Sequence, residues 1–233
     1  MNKKYFKNNL KSWAKDLFPL NRSITGKYNR ETINYLKRKI NNNFILKSVR
    51  SGTKAFSWQI PKEYSISKGI LKDEYGKIIC DHKTNNLHVI GYSKSVNKWL
   101  KYNELKKHIF KSDKMPKAIP YVTSYYQKNW GFCISKEKFK KLNKKLKYKA
   151  EIKSKFFKGE MNYSELIIKG ESKKEILICS YICHPALANN ELSGILGIAL
   201  LSKILKKTKY TIRLLLIPET IGATYFIKKN FNK

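Results

Sequence analysis

His184 and Glu219 are the two residues whose chemistry and placement coincide, because each follows an apolar run. Residues 176–182 read as a strand that leads into Cys183-His184-Pro185, and residues 211–217 read as a second strand that stops at Pro218-Glu219-Thr220. An imidazole at a strand's carboxyl end is a usable zinc or transition-metal ligand. By itself it is also an ordinary surface histidine at a strand terminus. A carboxylate at the end of the next strand changes the balance, because the pair suits hydrolysis: a metal polarises a carbonyl while a carboxylate takes a proton from water.

Between the two strands, Ala188-Asn189-Asn190-Glu191-Leu192-Ser193-Gly194 opens a helix predicted over 191–205. A β-α-β unit of this kind is a right-handed crossover, which places both strand ends on one edge of a sheet. Open α/β sheets bind ligands in the crevice outside those ends. Asn189 and Asn190 are good helix caps, and either could instead face the crevice beside His184. Ser193-Gly194 would let the helix pack closely on the sheet, and Ser193 has no base near it in sequence to make it a nucleophile. Strand alternation puts Cys183 and His184 on opposite faces, so Cys183 is read as a packing residue and not as half of a catalytic dyad. His82 and His88, near Asp81, are read as structural, and His108 as a surface helix residue.

The rest of the chain must position this unit. Its 233 residues, 42% hydrophobic and 13% aromatic, suffice for a packed core. No apolar run reaches the roughly 18 residues of a membrane span. No apolar signal core follows the basic start, since Asn8, Asn9 and Lys11 interrupt it, and a cytoplasmic location is expected. The four cysteines form no CxxC pair and read as reduced thiols. The formal charge of +34 suggests nucleic acid, yet only five of 50 basic residues are arginine and the lysines are spread along the chain. Lysine, asparagine and isoleucine all have A/T-rich codons. No specific nucleic-acid partner is therefore expected, only salt-sensitive attraction to polyanions.

Helical spacing predicts helices over 6–18 and 29–40. Short strands with intervening turns follow: 44–49, 55–60, 66–71, 77–80 and 87–92. They are read as a small β subdomain, 44–110, inserted into a discontinuous α/β domain of 1–43 and 111–233. Strands are also expected at 119–125 and 130–134, a helix capped by Ser135 over 136–143, and an antiparallel hairpin of 148–157 with 164–168 at a sheet edge. A last helix is predicted over 222–229.

Several segments in order along the chain carry a resemblance. They are Leu17-Phe18-Pro19-Leu20-Asn21-Arg22-Ser23-Ile24-Thr25-Gly26, Asn86-Leu87-His88-Val89-Ile90-Gly91-Tyr92-Ser93, Ile119-Pro120-Tyr121-Val122-Thr123-Ser124-Tyr125-Tyr126, Trp130-Gly131-Phe132-Cys133, Cys183-His184-Pro185 and Pro218-Glu219-Thr220-Ile221-Gly222. Together they resemble a bacterial family of aminopeptidase-like proteins of unsettled function, related to zinc-dependent exopeptidases. The resemblance implies an α/β fold, a mixed-sheet αβα sandwich that is incomplete here, with a nested β domain. It implies zinc as cofactor, with His184 as first metal ligand. Asn190 falls where a bridging aspartate would stand, and Glu191 is the nearby carboxylate that could substitute. Glu219 matches a glutamate, most simply the general base, and Asn189 would face the substrate. The superfamily's supporting aspartate, two residues after the histidine, is Ala186 here. Later ligands would lie beyond Lys233 in a longer relative.

Three expectations follow. The first is a metallohydrolase acting on a peptide or an amide-containing small molecule, truncated or degenerate in this form. The second is a binding protein that keeps the fold without the chemistry. The third is a gene fragment whose partner is a complementary C-terminal fragment.

Overall fold

The computed structural model describes residues 3–125 and 127–231. The chain forms two compact units, Met1–Glu63 with Phe157–Lys233, and Tyr64–Phe156. The first opens with helices α1 (Lys3–Leu17) and α2 (Lys27–Lys39), close to the spans their spacing predicts. Trp13 and Leu17 of α1 are buried, as are Ile33 and Leu36 of α2. Lys37, Arg38 and Lys39 close α2, where cations suit the negative end of the helix dipole. Strand β1 (Ile45–Arg50) and the short β2 (Lys54–Ala55) and β3 (Trp58–Gln59) follow.

The second unit contains β4 (Glu63–Asp73), β5 (Ile78–Asp81), β6 (Val96–Lys101), helix α3 (Tyr102–Leu105), β7 (Ile109–Phe110), β8 (Phe132–Cys133), helix α4 (Lys136–Lys140) and β9 (Lys147–Phe157). A four-stranded sheet, β5-β4-β9-β6, packs over Leu71, Val96, Leu105, Phe132, Tyr148 and Ile152. Ser135 caps α4 as expected, its Oγ accepting from the Lys138 N–H at 3.1 Å. Residues 87–92 form no strand. A 3-10 turn, Asn86–His88, and isolated bridges at Val89 and Gly91 replace it. Residues 119–125 are likewise irregular apart from the bridge at Thr123.

The chain then returns to the first unit with β10 (Glu160–Ile168), β11 (Ser172–Tyr181), a π-helical turn (Ala188–Leu192), α5 (Ser193–Ile204), β12 (Tyr210–Ile217) and α6 (Ile221–Asn230). Its sheet has the order β1-β10-β12-β11. The first two pairings are antiparallel and β11–β12 is parallel, running in register from Ile176↔Ile212 to Tyr181↔Ile217. One face of β12, with Ile212, Leu214 and Leu216, packs with α1, α2 and α5 in a single core. On the other face, Tyr163 of β10 meets Tyr225 and Lys229 of α6. Helices therefore cover both faces of a mixed sheet.

These boundaries differ from the sequence expectation. Residues 45–50 belong to the main sheet, because β1 pairs with β10. Residues 111–156 belong to the second unit, because β9 joins its sheet. The expected hairpin of 148–157 with 164–168 does not form: β9 and β10 are consecutive but lie in different sheets. β10 is also not an edge strand, since it lies between β1 and β12.

Candidate metal centre

β11 and β12 end side by side, so the chain past each end emerges at one sheet margin. The last ladder pair is Tyr181↔Ile217, with His184 three residues beyond the one and Glu219 two beyond the other. Helix α5 sits tightly over β11 because Gly194 lacks a side chain: a Cβ there would stand 2.1 Å from the Ser180 Oγ. Gly222 does the same for α6, where a Cβ would meet Ile217 at 2.6 Å. Two non-glycine residues beside the site hold positive φ, Ala186 at 25° and Thr220 at 57°. Such backbone costs about 1–3 kcal/mol per residue and persists only where surrounding contacts enforce it.

His184 is buried, and its ring is held from behind. Nδ1 lies 2.7 Å from Glu191 Oε2. The same oxygen accepts the backbone N–H groups of Cys183 and His184, the latter at 2.6 Å. Glu191 Oε1 accepts from Arg22 Nε at 2.8 Å, and Arg22 Nη1 donates to the Leu17 carbonyl at 2.6 Å. Neither Arg22 nor Glu191 exposes any side-chain area. This chain of contacts assigns the ring tautomer: Nδ1–H donates to the carboxylate, and Nε2 carries the lone pair.

Nε2 faces Glu219 Oε2 at 3.3 Å. Two lone-pair atoms opposed at that distance need a proton or a metal ion between them. The spacing suits a metal, since two ligands each about 2.0–2.1 Å from a tetrahedral zinc lie roughly 3.3–3.4 Å apart. The Cys183 Sγ lies beside them. It accepts the Glu219 N–H at 3.1 Å and stands 3.6 Å from His184 Nδ1. One donor atom from each of Cys183, His184 and Glu219 lies within 4.8 Å of the others. Burial pushes the Cys183 thiol well above its usual range, reinforced by the nearby Glu191 and Glu219 carboxylates. Nitrogen, oxygen and sulfur are all donor types that zinc accepts.

The structure thus brings His184, Glu191 and Glu219 together. It corrects the expected part of Glu191: both its oxygens are committed inside the protein, so it backs the imidazole and does not reach outward as a ligand. Asn189 and Asn190 stay exposed on the π-helical turn, and neither caps it, since the cap residue is Leu187 with no side-chain bond. Ser193 donates to the Asn189 carbonyl at 2.9 Å and is exposed. Cys183 does not lie on the face opposite His184, because the strand stops at Tyr181 and alternation no longer governs the next residues. Arg22 had no expected role, although it lies in the quoted run 17–26. In the second unit, His88 is buried with Nδ1 at 2.8 Å from the Cys133 carbonyl, and His108 stacks on Trp130 with ring centroids 3.7 Å apart. Both are packing roles, although His108 is half-buried and not simply on the surface.

Comparison with known proteins agrees with this architecture. The family described as "Domain of unknown function (DUF4910)" matches residues 11–233. A Clostridium acetobutylicum protein named "Putative polysaccharide biosynthesis protein with aminopeptidase-like domain" is 40% identical over 220 residues, covering 94% of this chain and 50% of its own length. A crystal structure of a "putative peptidase" from Clostridium acetobutylicum superposes with a TM-score of 0.91 at 37% identity, over 98% of this chain and 56% of that one. The chain thus spans about half the length of these relatives. A zinc aminopeptidase from Bacillus subtilis superposes with a TM-score of 0.57 at 11% identity, over 95% of this chain and 64% of that one, and shares the fold. From its second helix turn through its last strand and helix, the sequence follows one established pattern: this chain belongs to the DUF4910 family and has the aminopeptidase-like α/β fold.

Proposed function

We propose that the chain carries the metal site of an aminopeptidase-like metallohydrolase that acts on a peptide or amide bond. The observation that supports this reading is the 3.3 Å approach of His184 Nε2 to Glu219 Oε2, with the imidazole locked from behind by a buried carboxylate. His184 would hold zinc through Nε2, and zinc when bound supplies a positive charge that polarises an amide carbonyl. Glu219, with 46% of its side chain exposed, reaches solvent and accepts a proton from the attacking water. Glu191 keeps Nε2 aimed at the margin, and Arg22 holds Glu191 in place through its 2.8 Å contact with Oε1. Asn189 and Asn190, exposed beside the site, offer amides to a substrate main chain. The test is metal analysis of purified protein together with His184→Ala and Glu219→Gln on aminoacyl-amide substrates. His184→Ala should lose bound zinc; Glu219→Gln should lose turnover. Metal content and hydrolysis unchanged in both variants would remove this mechanism.

A second reading is a binding protein of the same fold. It is favoured by Asn190, a neutral exposed amide where the resemblance places a bridging carboxylate. It expects no stoichiometric zinc, but thermal stabilisation by a peptide ligand. Since the relatives are about twice as long, a complementary polypeptide is the partner proposed for either reading.

A further inference from the structure

We propose that the open edge of β11, with the adjoining surface of α5, is the docking site for the complementary polypeptide, which adds a strand there. This rests on the partner proposed above, gives it an address, and does not depend on zinc. The first support is a gap in the charge pattern. The chain carries 50 lysines and arginines among 233 residues, yet none stands between Lys174 and Lys203. That stretch is not simply interior. Ile176 is 45% exposed, Leu177 48% and Tyr181 40%, and Cys179 is exposed as well. A free edge in a natural sheet is ordinarily blunted by lysine, proline or a bulge. Residues 176–181 have none of these, in a protein that places lysine almost everywhere else.

The second support is that β11 is apolar on both faces. Ser180 faces α5, where it lies against Gly194. Alternation therefore turns Leu177, Cys179 and Tyr181 to the opposite face. Among the described strands, β11 pairs with β12 alone. A strand that is apolar on both faces is the pattern of the interior of a parallel sheet, where neighbours cover it. Helix α5 repeats the mismatch. Lys203 is the only charged residue among its 12. A Cβ at Gly197 would meet nothing within 4 Å, and Ile204 is 40% exposed. A helix with so little polar surface is ordinarily buried. The length of the relatives indicates what covers both. The Clostridium acetobutylicum protein matches 94% of this chain over only 50% of its own length, so half of it has no counterpart here. A polypeptide of that size can supply a strand and the helix that flanks it. Main-chain bonds to the outer amides and carbonyls of β11 would fix its register, and the apolar residues would supply the affinity.

The test co-expresses this chain, tagged, with the half of the Clostridium acetobutylicum relative that has no counterpart in it. The two should co-purify in equal amounts. Hydrogen exchange at the β11 amides that face away from β12 should slow by about tenfold or more in the complex. Leu177→Lys and Gly197→Lys each place a charge on the proposed contact without crowding the free chain. Each should keep the melting temperature of the free chain and cut retention of the partner by about tenfold or more, because the ammonium would be buried unpaired. No complex with wild type, or a complex indifferent to both substitutions, overturns the proposal. So does a dimer of this chain that protects the same amides and excludes the other polypeptide. Metal analysis of the same preparations reads the His184 site separately. A complex that takes up no zinc overturns the metal reading and keeps this one, and zinc bound without a complex does the reverse.

Discussion

Glu191→Ala tests the polar chain behind His184. The carboxylate is wholly buried and accepts from Arg22, from the His184 ring and from two backbone N–H groups. Its removal leaves the Arg22 guanidinium buried without an anion, and Arg22 Nη2 already has no hydrogen-bond partner. Breaking a buried pair from one side costs about 3–5 kcal/mol. Each orphaned backbone N–H adds about 1–3 kcal/mol, part of which water entering the vacated space recovers. We expect a loss of at least about 4 kcal/mol, a large part of the roughly 5–15 kcal/mol that stabilises a typical domain. With a urea slope near 2 kcal/mol per molar, the midpoint should fall by about 2 M. The reciprocal variant removes both charges. Arg22→Met combined with Glu191→Met should lose less than the sum of the two single losses by about 2 kcal/mol or more, because no buried charge remains. The assay is equilibrium urea denaturation by circular dichroism, with slopes compared before midpoints. A Glu191→Ala loss under about 1 kcal/mol, or strict additivity in the double variant, would refute the proposed coupling.

Other outcomes follow from separate parts of the structure. Gly194→Ala should destabilise by about 1–3 kcal/mol, since its Cβ would meet Ser180 Oγ at 2.1 Å, and adding Ser180→Ala should recover part of the loss; thermal melts of the three variants check this. Burial holds the His82 imidazole down at about 4. The unfolded chain therefore takes up that proton first on acidification, from its ordinary value near 6.5. The contribution is complete above pH 6.5 and is lost as pH falls toward 4, by up to about tenfold in the folding equilibrium per pH unit. His82→Gln should flatten that slope in urea midpoints measured between pH 7 and 5, and an unchanged slope would exclude it. Leu177, 48% exposed on the unpaired side of the main sheet, should promote self-association; Leu177→Lys should reduce it by light scattering without lowering the melting temperature.

The sequence signals read most reliably where local pattern and tertiary role agree. Two apolar runs leading to His184 and Glu219 specify two parallel strands, and parallel pairing brings their ends together, although only β12 is buried and β11 is largely exposed at the sheet rim. Helices α1 and α2 were legible for the same reason, since one apolar stripe faces one core. Partner choice was not legible. Alternation in 148–157 and 164–168 identifies two strands, but nothing local says that they enter different sheets, nor that 45–50 pairs with 160–165. The main-chain hydrogen bonds that decide this, such as Ser51 N–H to the Gly159 carbonyl at 2.8 Å, join residues more than a hundred positions apart. Cys183 is buried, as its reading as a packing residue expects, but it lies beside the His184 ring and not opposite it, because period-two alternation does not extend past Tyr181, where the strand stops. Arg22 and the inward turn of Glu191 were missed for a further reason: a buried ion pair between residues 169 positions apart leaves no periodic signature.

β11 forms the rim of its sheet, with Ile176, Leu177 and Tyr181 partly bare and its outer amides and carbonyls unmatched by another strand of the described sheet. Parallel β-structure is ordinarily clothed on both sides. A guest strand laid along this rim would run directly into the neighbourhood of His184, three residues past the end of β11. Strand addition and the proposed chemistry would therefore share one address in this molecule. A peptide completing the rim would become a wall of the proposed metal site, able to shield it from bulk water.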